Sequence, residues 1–139
     1  MTMTPAEVMS TVYAHMRNGE WDEAENYVSD DFILYEPDSL PYGGEWKGKD
    51  VFRRLFPAVM GSFDDPAPEP IEMTGGKEWA NLIVNFVVTS KKTGIRTSYR
   101  VIESARVIDG KMVEMYLHYF DTVQTVSYTH LTLPTIYSV

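Results

Sequence analysis

Three consecutive β-strand patterns in the second half of the chain constrain its fold more than any other feature. Apolar and β-branched residues dominate three long segments, 79–90, 95–108 and 112–123. Residues 91–94 (KKTG) are typical of a turn, and Asp109-Gly110 is a two-residue hairpin turn before the third segment. The pattern therefore predicts three sequential antiparallel strands, whose apolar faces must be buried against other elements.

The first half of the chain supplies elements that can cover such a face. A capping box at Thr4–Glu7 predicts the start of a helix, and apolar residues recur in it at helical spacing up to Gly19. Three further elements are predicted: a short helix at 21–28, a strand ending at Glu36 and a helix at 48–63. The segment 64–70 (DDPAPEP) is interpreted as a surface connector. This order predicts an α+β fold with helices across the concave face of a strongly bent sheet, forming a cone.

Composition and charge exclude several classes of function. A chain of 139 residues with 44% hydrophobic residues suits one domain with a single core. A net charge of −8 leaves no basic surface for nucleic acid or an anionic membrane. The sequence has no cysteine and its three histidines are scattered, so we expect no disulfide, no metal site and no cofactor. With no signal peptide or membrane span recognised, a cytoplasmic location is expected.

Glu36 is the first candidate for chemistry. It directly precedes Pro37, which holds the residue before it in an extended conformation at the end of the predicted strand. Several aromatic residues lie nearby in the sequence: Tyr35, Tyr42, Trp46, Phe52 and Phe56. Apolar walls disfavour the charged form of a carboxyl group and raise its pKa toward the range useful for proton transfer. The alternative interpretation is an exposed acid in a loop.

Glu103 is the second candidate, identified from strand alternation. One face of the second long strand carries Tyr99, Val101, Glu103 and Ala105, and the opposite face carries Arg100 and Arg106. The arginines mark their own face as the solvent side, so the face with Glu103 is predicted to be interior. An acid buried there is costly unless it has a function. In the third strand Met115, Tyr119 and Asp121 share one face, and the aromatic opposite face suggests a partner surface.

Three motifs carry a family resemblance. They are D-D-F-x-x-Y-E-P at 30–37, L-P-Y-G-G-x-W-x-G at 40–48 and Y-F-D-T-V-Q at 119–124. Together with the order of elements, they resemble the nuclear transport factor 2-like superfamily, over about residues 5–124. Within it, the chain is most similar to the SnoaL-like polyketide cyclases and ketosteroid-isomerase-like proteins. The resemblance implies a cystatin-like fold, in which a strongly curved mixed or antiparallel sheet wraps around three N-terminal helices.

The resemblance also implies roles for single residues. Glu36 matches the general base of ketosteroid isomerases, a carboxylate before a proline at this strand end. Glu103 falls where those isomerases hold a protonated aspartic acid that donates a hydrogen bond to an oxyanion. Asp121 matches the acid/base aspartate of SnoaL-like cyclases. The isomerase tyrosine falls on Val12, with Tyr13 turned by about 100° from it, and this departure argues against steroid isomerisation.

The sequence thus predicts a cofactor-independent acid/base enzyme of the isomerase, cyclase or dehydratase (lyase) type. Its substrate would be a small hydrophobic carbonyl compound in an apolar pocket, and the protein is expected to form a homodimer. Eight residues are expected to bind the substrate: Tyr13, Met16, Tyr42, Trp46, Phe56, Tyr99, Met115 and Tyr119. The alternative is a non-catalytic small-ligand-binding or dimerisation module of the same fold, as the transport factor itself is an adaptor.

The C-terminal segment differs from the rest of the chain. Residues 1–126 are interpreted as one SnoaL-like domain, and the last eighteen residues, 122–139, contain no charged side chain. Residues 127–139 resemble translated sequencing-adapter sequence of metagenomic origin, so we interpret them as a non-native or disordered tail. The alternative is a genuine edge strand, which their β-branched content would support.

Overall fold

A computed structural model describes residues 2–129 as four helices and six strands. The helices are α1 (Pro5–Arg17), α2 (Trp21–Glu25), α3 (Val51–Met60) and α4 (Thr122–Thr129). The strands are β1 (Val28–Glu36), β2 (Gly44–Lys47), β3 (Asp64–Gly75), β4 (Trp79–Thr89), β5 (Arg96–Ile108) and β6 (Lys111–Tyr119).

All six strands form one sheet in the order β2-β1-β6-β5-β4-β3. Neighbouring strands are antiparallel except β1 and β6, which are parallel, so the sheet is mixed. Helix α1 contacts β3, β4, β5 and β6, whereas α3 contacts β1 and β2. The sheet curls around these helices, and the predicted α+β fold class is confirmed.

Local sequence explains the elements that frame the concave side. Thr4 and Glu7 form the predicted capping box, because each side chain accepts a hydrogen bond from the backbone N–H of the other. At the β5–β6 hairpin Asp109 and Gly110 have φ angles of 51° and 77°, as a type I′ turn requires. Burial alternates along the whole of β4, so one face of this strand packs into the core.

The interpretation of residues 64–70 as a surface connector was wrong. These residues begin β3, which pairs with β4 along its length as an edge strand. Prolines are tolerated at a sheet edge, because they have no N–H to offer a second neighbour. Register shifts between Asp64 and Ala67 and between Pro70 and Glu72 accommodate the irregular segment. The edge strand closes one side of the concave face.

The end of the last strand also differs from the prediction. Strand β6 ends at Tyr119 rather than continuing to Val123, and Thr122 begins α4. Thr125 and Val126 in this helix are fully buried, so α4 packs onto the domain. The predicted tail begins within the last turn of α4, and residues 130–139 lie outside the described residues. Between residues 2 and 129, no helix is long and apolar enough to cross a membrane.

Candidate active site

A cavity of about 300 Å³ lies between the helices and the concave face of the sheet. This volume is at the lower end of the range typical of small-molecule sites. Its walls are mostly apolar and come from α3 (Phe52, Leu55, Phe56), β4 (Leu82, Val84, Phe86) and β6 (Met115, Leu117). Of the residues that the structure describes, only three charged ones line it: Arg17, Glu36 and Glu103. The two glutamates of the sequence prediction therefore face one apolar cavity.

Sheet register explains why the glutamates converge. In the parallel pair, Tyr35 lies opposite Tyr116, so continuing this register by one residue brings Glu36 opposite Leu117. In the antiparallel pair, Glu103 lies opposite the same Leu117. The three residues form one row across β1, β6 and β5. Because adjacent strands are about 4.8 Å apart, the backbones of the two glutamates are about 10 Å apart. Both side chains point to the concave side, which shortens the gap between their carboxyl groups.

Glu103 has a hydrogen-bond donor from helix α1. The Tyr13 hydroxyl donates to Glu103 Oε1 and lies 4.0 Å from Met115 Sδ. Burial and the Glu103 charge raise the pKa of Tyr13 well above its usual value, so this tyrosine remains protonated and remains a donor. Burial raises the pKa of Glu103, and the hydrogen bond from Tyr13 offsets part of that rise.

Glu36 is more isolated at the end of β1. Its side chain is buried, with 6% of the residue exposed, and its Oε1 atom has no hydrogen-bond partner among the described residues. Burial, followed by the nearby Glu103 charge, raises the pKa of Glu36 to about 9, while hydrogen bonding to Tyr119 acts in the opposite direction. The expectation that apolar surroundings raise the pKa of this carboxyl is therefore met.

These contacts favour a different distribution of charge from the one that the resemblance implied. A hydrogen bond from Tyr13 stabilises the carboxylate form of Glu103, whereas the buried Glu36 Oε1 receives no such donor. Once Glu103 is ionised, its charge disfavours ionisation of Glu36. The contacts therefore favour ionisation of Glu103 before that of Glu36, whose pKa is about 9.

The predicted binding residues divide into two groups. Tyr13, Met16, Phe56, Met115 and Tyr119 line the cavity. Tyr42, Trp46 and Tyr99 do not line it.

The three residues that do not line the cavity, Tyr42, Trp46 and Tyr99, lie behind its wall. The Tyr42 and Tyr119 hydroxyls are 2.8 Å apart, and the Tyr42 carbonyl accepts a hydrogen bond of 2.9 Å from Trp46 Nε1. Tyr99 is buried, with its ring centroid 6.1 Å from that of Phe63. Tyr42 therefore supports Tyr119 from behind, and Tyr99 belongs to the hydrophobic core.

Asp121 is not brought to the cavity. It follows the end of β6, is exposed, and its Oδ1 accepts a hydrogen bond of 3.0 Å from the Gln124 N–H at the start of α4. Alternation places Asp121 on the inner face only if the strand continues, and the strand ends at Tyr119. Its carboxylate caps a helix, which is a common role of aspartate at this position.

Sequence reasoning missed Arg17 and the contribution of the edge strand. Arg17 lines the cavity one turn after Tyr13 on α1, and Pro68 and Pro70 of β3 also line it. The i, i+4 spacing from Tyr13 was an available signal for Arg17. Among residues 2–129, no group of three or more His, Asp or Glu residues is placed to hold a metal ion.

Comparison with known proteins identifies a family. The sequence profile described as "SnoaL-like domain" matches residues 10–115, which include both glutamates and the whole of the cavity's β4 wall. No curated protein matches the chain.

Solved structures show a similar fold. An NTF2-like protein from Burkholderia thailandensis superposes with a TM-score of 0.79 at 17% identity, over 93% of this chain and 99% of that one. A proposed SnoaL-like polyketide cyclase from Mesorhizobium loti gives 0.64 at 24% identity, over 84% and 100%. The protein TerC, co-crystallised with polyporic acid, gives 0.73 at 19% identity, over 91% and 98%.

Proposed function

The chain belongs to the SnoaL-like domain family, and from this premise we propose that it is a cofactor-independent acid/base enzyme acting on a small hydrophobic carbonyl compound. One observation carries the proposal. Two glutamates, the buried Glu36 and the half-buried Glu103, face the same apolar cavity. Tyr13 donates a hydrogen bond to Glu103, whereas Glu36 keeps a buried Oε1 atom with no partner among the described residues. Carboxyl groups whose environments separate their pKa values are suited to act as acid and base.

The proposed chemistry divides the proton transfers between the two glutamates. The Glu103 carboxylate removes a proton from the carbon next to the substrate carbonyl. Neutral Glu36 donates a hydrogen bond, or its proton, to the carbonyl oxygen on which negative charge develops. In an isomerisation, Glu103 returns its proton to another carbon. In a cyclisation, the enol carbon attacks a second carbonyl, and the alkoxide that forms takes the proton held by Glu103. In both reactions any proton that Glu36 has donated returns to it as the first carbonyl re-forms. Asp121 has no part in this scheme, because it lies outside the cavity.

The apolar cavity wall favours the proposed roles of Glu103 as base and Glu36 as proton donor. Side chains of α3, β4 and β6 exclude water from the carboxyl groups, and electrostatic interactions are stronger in such a site than in water. Tyr119 hydrogen-bonds to Glu36 and is itself within 2.8 Å of Tyr42. We infer that this tyrosine pair fixes the orientation of the Glu36 carboxyl at the cavity wall.

A second candidate function is a ligand-binding module without chemistry. The apolar cavity favours this function equally, and TerC shows that a protein of similar fold has been crystallised with a small molecule. The two candidates differ in what Glu36 does, since a binding module has no turnover that depends on a proton donor.

Probe substrates for carbon-acid chemistry distinguish these functions. A β,γ-unsaturated ketone and a benzisoxazole are incubated with wild type, with Glu36→Gln and with Glu103→Gln. We expect either substitution to lower the rate by about a hundredfold or more, with little change in probe affinity. Glu114→Gln, on the outer face of β6, is the matched control and should keep the full rate. Background rates with every protein would contradict the enzyme proposal and favour the binding module.

We also propose that the partner of this chain is a second copy of itself. The convex face of the sheet carries a group of aromatic side chains around Tyr116. Its ring stacks on Tyr35 with a centroid distance of 4.6 Å and lies 6.3 Å from Trp79. An aromatic sheet face of this kind is typical of protein interfaces, and a homodimer would cover it.

A further inference from the structure

Arg17 is the only cationic residue among the described residues that line the cavity. It is exposed in the last turn of α1, and its guanidinium makes no hydrogen bond or ion pair with any residue between 2 and 129. Three other arginines of this acidic protein are ion-paired: Arg53 with Asp22 and Glu25, Arg54 with Asp50, and Arg106 with Glu78. An unpaired guanidinium at a ligand cavity is available to bind an anion.

The position of Arg17 relative to the glutamates is fixed by helix geometry. Tyr13, which donates to Glu103, lies four residues before Arg17 on the same face of α1. Four residues advance the helix by about 6 Å, so Arg17 begins about one turn beyond Tyr13. Arg17 is exposed whereas Glu36 is buried, so the guanidinium lies at the outer part of the cavity wall, away from the two glutamates.

A second cavity of about 280 Å³ adjoins the first between α1 and β3. The two cavities share Tyr13, Arg17, Pro70 and Leu82, so Arg17 lies at their junction. The second cavity also contains Glu72, whose negative charge disfavours a multiply charged ligand. One guanidinium beside a carboxylate, in a protein of net charge −8, matches a singly charged anion.

We propose that Arg17 binds a carboxylate group at the far end of the substrate, so that the ligand class is an apolar carboxylic acid with a remote ketone. A carboxylate fits the guanidinium through two parallel hydrogen bonds. This inference rests on the proposed function, because it assigns the far end of the same substrate. It adds a site that recognises the substrate but does not touch the reacting atoms.

A series of ω-oxo-ω-phenylalkanoates of increasing chain length, with their methyl esters, tests the proposal by isothermal titration calorimetry. The acid and the ester of each pair have the same ketone and apolar body, but only the acid carries the charge. We expect wild type to bind the best-fitting acid about tenfold or more tighter than its ester. The preference should reach a maximum at one chain length, since the two ends of the site are a fixed distance apart.

Two variants isolate the effect of Arg17. Arg17→Gln should remove the preference for the acid while leaving ester affinity unchanged, and Arg17→Lys should retain part of it. Arg100→Gln is the matched control, because Arg100 is also exposed and unpaired among the described residues but lies outside the cavity. It makes the same change in net charge and should keep the preference. Arg17 and Arg100 are both exposed, so thermal unfolding should be unchanged in all three variants.

Four outcomes would overturn the inference: no acid binding to wild type at millimolar concentration, equal affinity for acid and ester, a preference retained in Arg17→Gln, or loss of the preference in Arg100→Gln. The proposed function is tested separately. Loss of turnover in Glu36→Gln with an uncharged probe is independent of Arg17, so failure of the inference is distinguished from failure of the proposed function.

Discussion

The Tyr13 hydroxyl donates a hydrogen bond to Glu103 Oε1 and so joins helix α1 to strand β5 across the cavity. Tyr13 follows the fully buried Val12, and its side chain reaches the cavity although the resemblance aligned the isomerase tyrosine with Val12. A donor from the first helix is therefore present in this chain, one position later and directed at a carboxylate.

Removal of that donor should change the ionisation of Glu103. In Tyr13→Phe the carboxylate loses the hydrogen bond that favours its charged form, so the pKa of Glu103 should rise above its wild-type value. The side-chain carboxyl is followed by carbon-13 NMR during a pH titration. Tyr27→Phe, which alters a tyrosine stacked on His15 outside the cavity, is the control and should leave the titration unchanged. An unchanged pKa in Tyr13→Phe would contradict the role of the hydrogen bond.

Glu36 should make stability depend on pH. The folded protein holds its proton up to a pKa of about 9, whereas the unfolded chain releases it near 4.5. Between these values the folded state binds more protons, so the free energy of unfolding should fall as pH rises through this window. Glu36→Gln has no proton to release and should show a flatter dependence. Urea unfolding at pH values between about 5 and 9 measures the difference, and parallel curves for the two proteins would contradict the raised pKa.

The sequence predicted which side chains face the cavity where a strand continued as far as its alternating pattern. Alternation along β5 identified Glu103 as an inward-facing acid, because all of the residues 96–108 remain in the strand. The same reasoning misplaced Asp121, because β6 ends two residues earlier. A strand end depends on what packs there, here the start of α4, and a short sequence window does not contain this information.

Tertiary contacts explain two further differences between the prediction and the structure, at β3 and at Tyr42. Prolines obscured β3, since a strand with several prolines is stable only when a neighbour supplies the pairing on one side. Tyr42 was expected to contact substrate because it lies in the loop after Glu36. Its hydroxyl instead contacts Tyr119, a residue 77 positions later. A contact between such distant residues is set by the sheet register and not by local pattern.

The boundary of the domain can be tested by truncation. Deletion of residues 127–139 should leave the melting temperature nearly unchanged, because an appended tail makes few buried contacts. Deletion of residues 122–139 removes the fully buried Thr125 and Val126 and should lower the melting temperature by several degrees. Differential scanning calorimetry of both proteins makes the comparison. A large loss in the shorter deletion would show that the segment is a genuine part of the domain.

The homodimer proposal predicts a monomer when the aromatic face is disrupted. Tyr116→Glu introduces a charge beside Tyr35 and Trp79, and burial of that charge in an interface is unfavourable. Light scattering after size-exclusion chromatography should give a dimer for wild type and a monomer for the variant. Lys111→Gln, at an exposed position at the other end of β6, makes the same change in net charge and serves as the control. A monomeric wild type would contradict the proposal.

The most direct test of acid/base chemistry in the cavity is solvent-deuterium exchange into a simple ketone. Wild-type protein is incubated with α-tetralone in deuterated buffer, and the loss of the α-proton is followed by proton NMR. If Glu103 acts as the base, wild type should accelerate exchange above the buffer rate, and Glu103→Gln should lower that acceleration by about a hundredfold or more. Glu114→Gln should match wild type. Exchange at the buffer rate with wild type, or an equal acceleration by wild type and Glu103→Gln, would contradict the account.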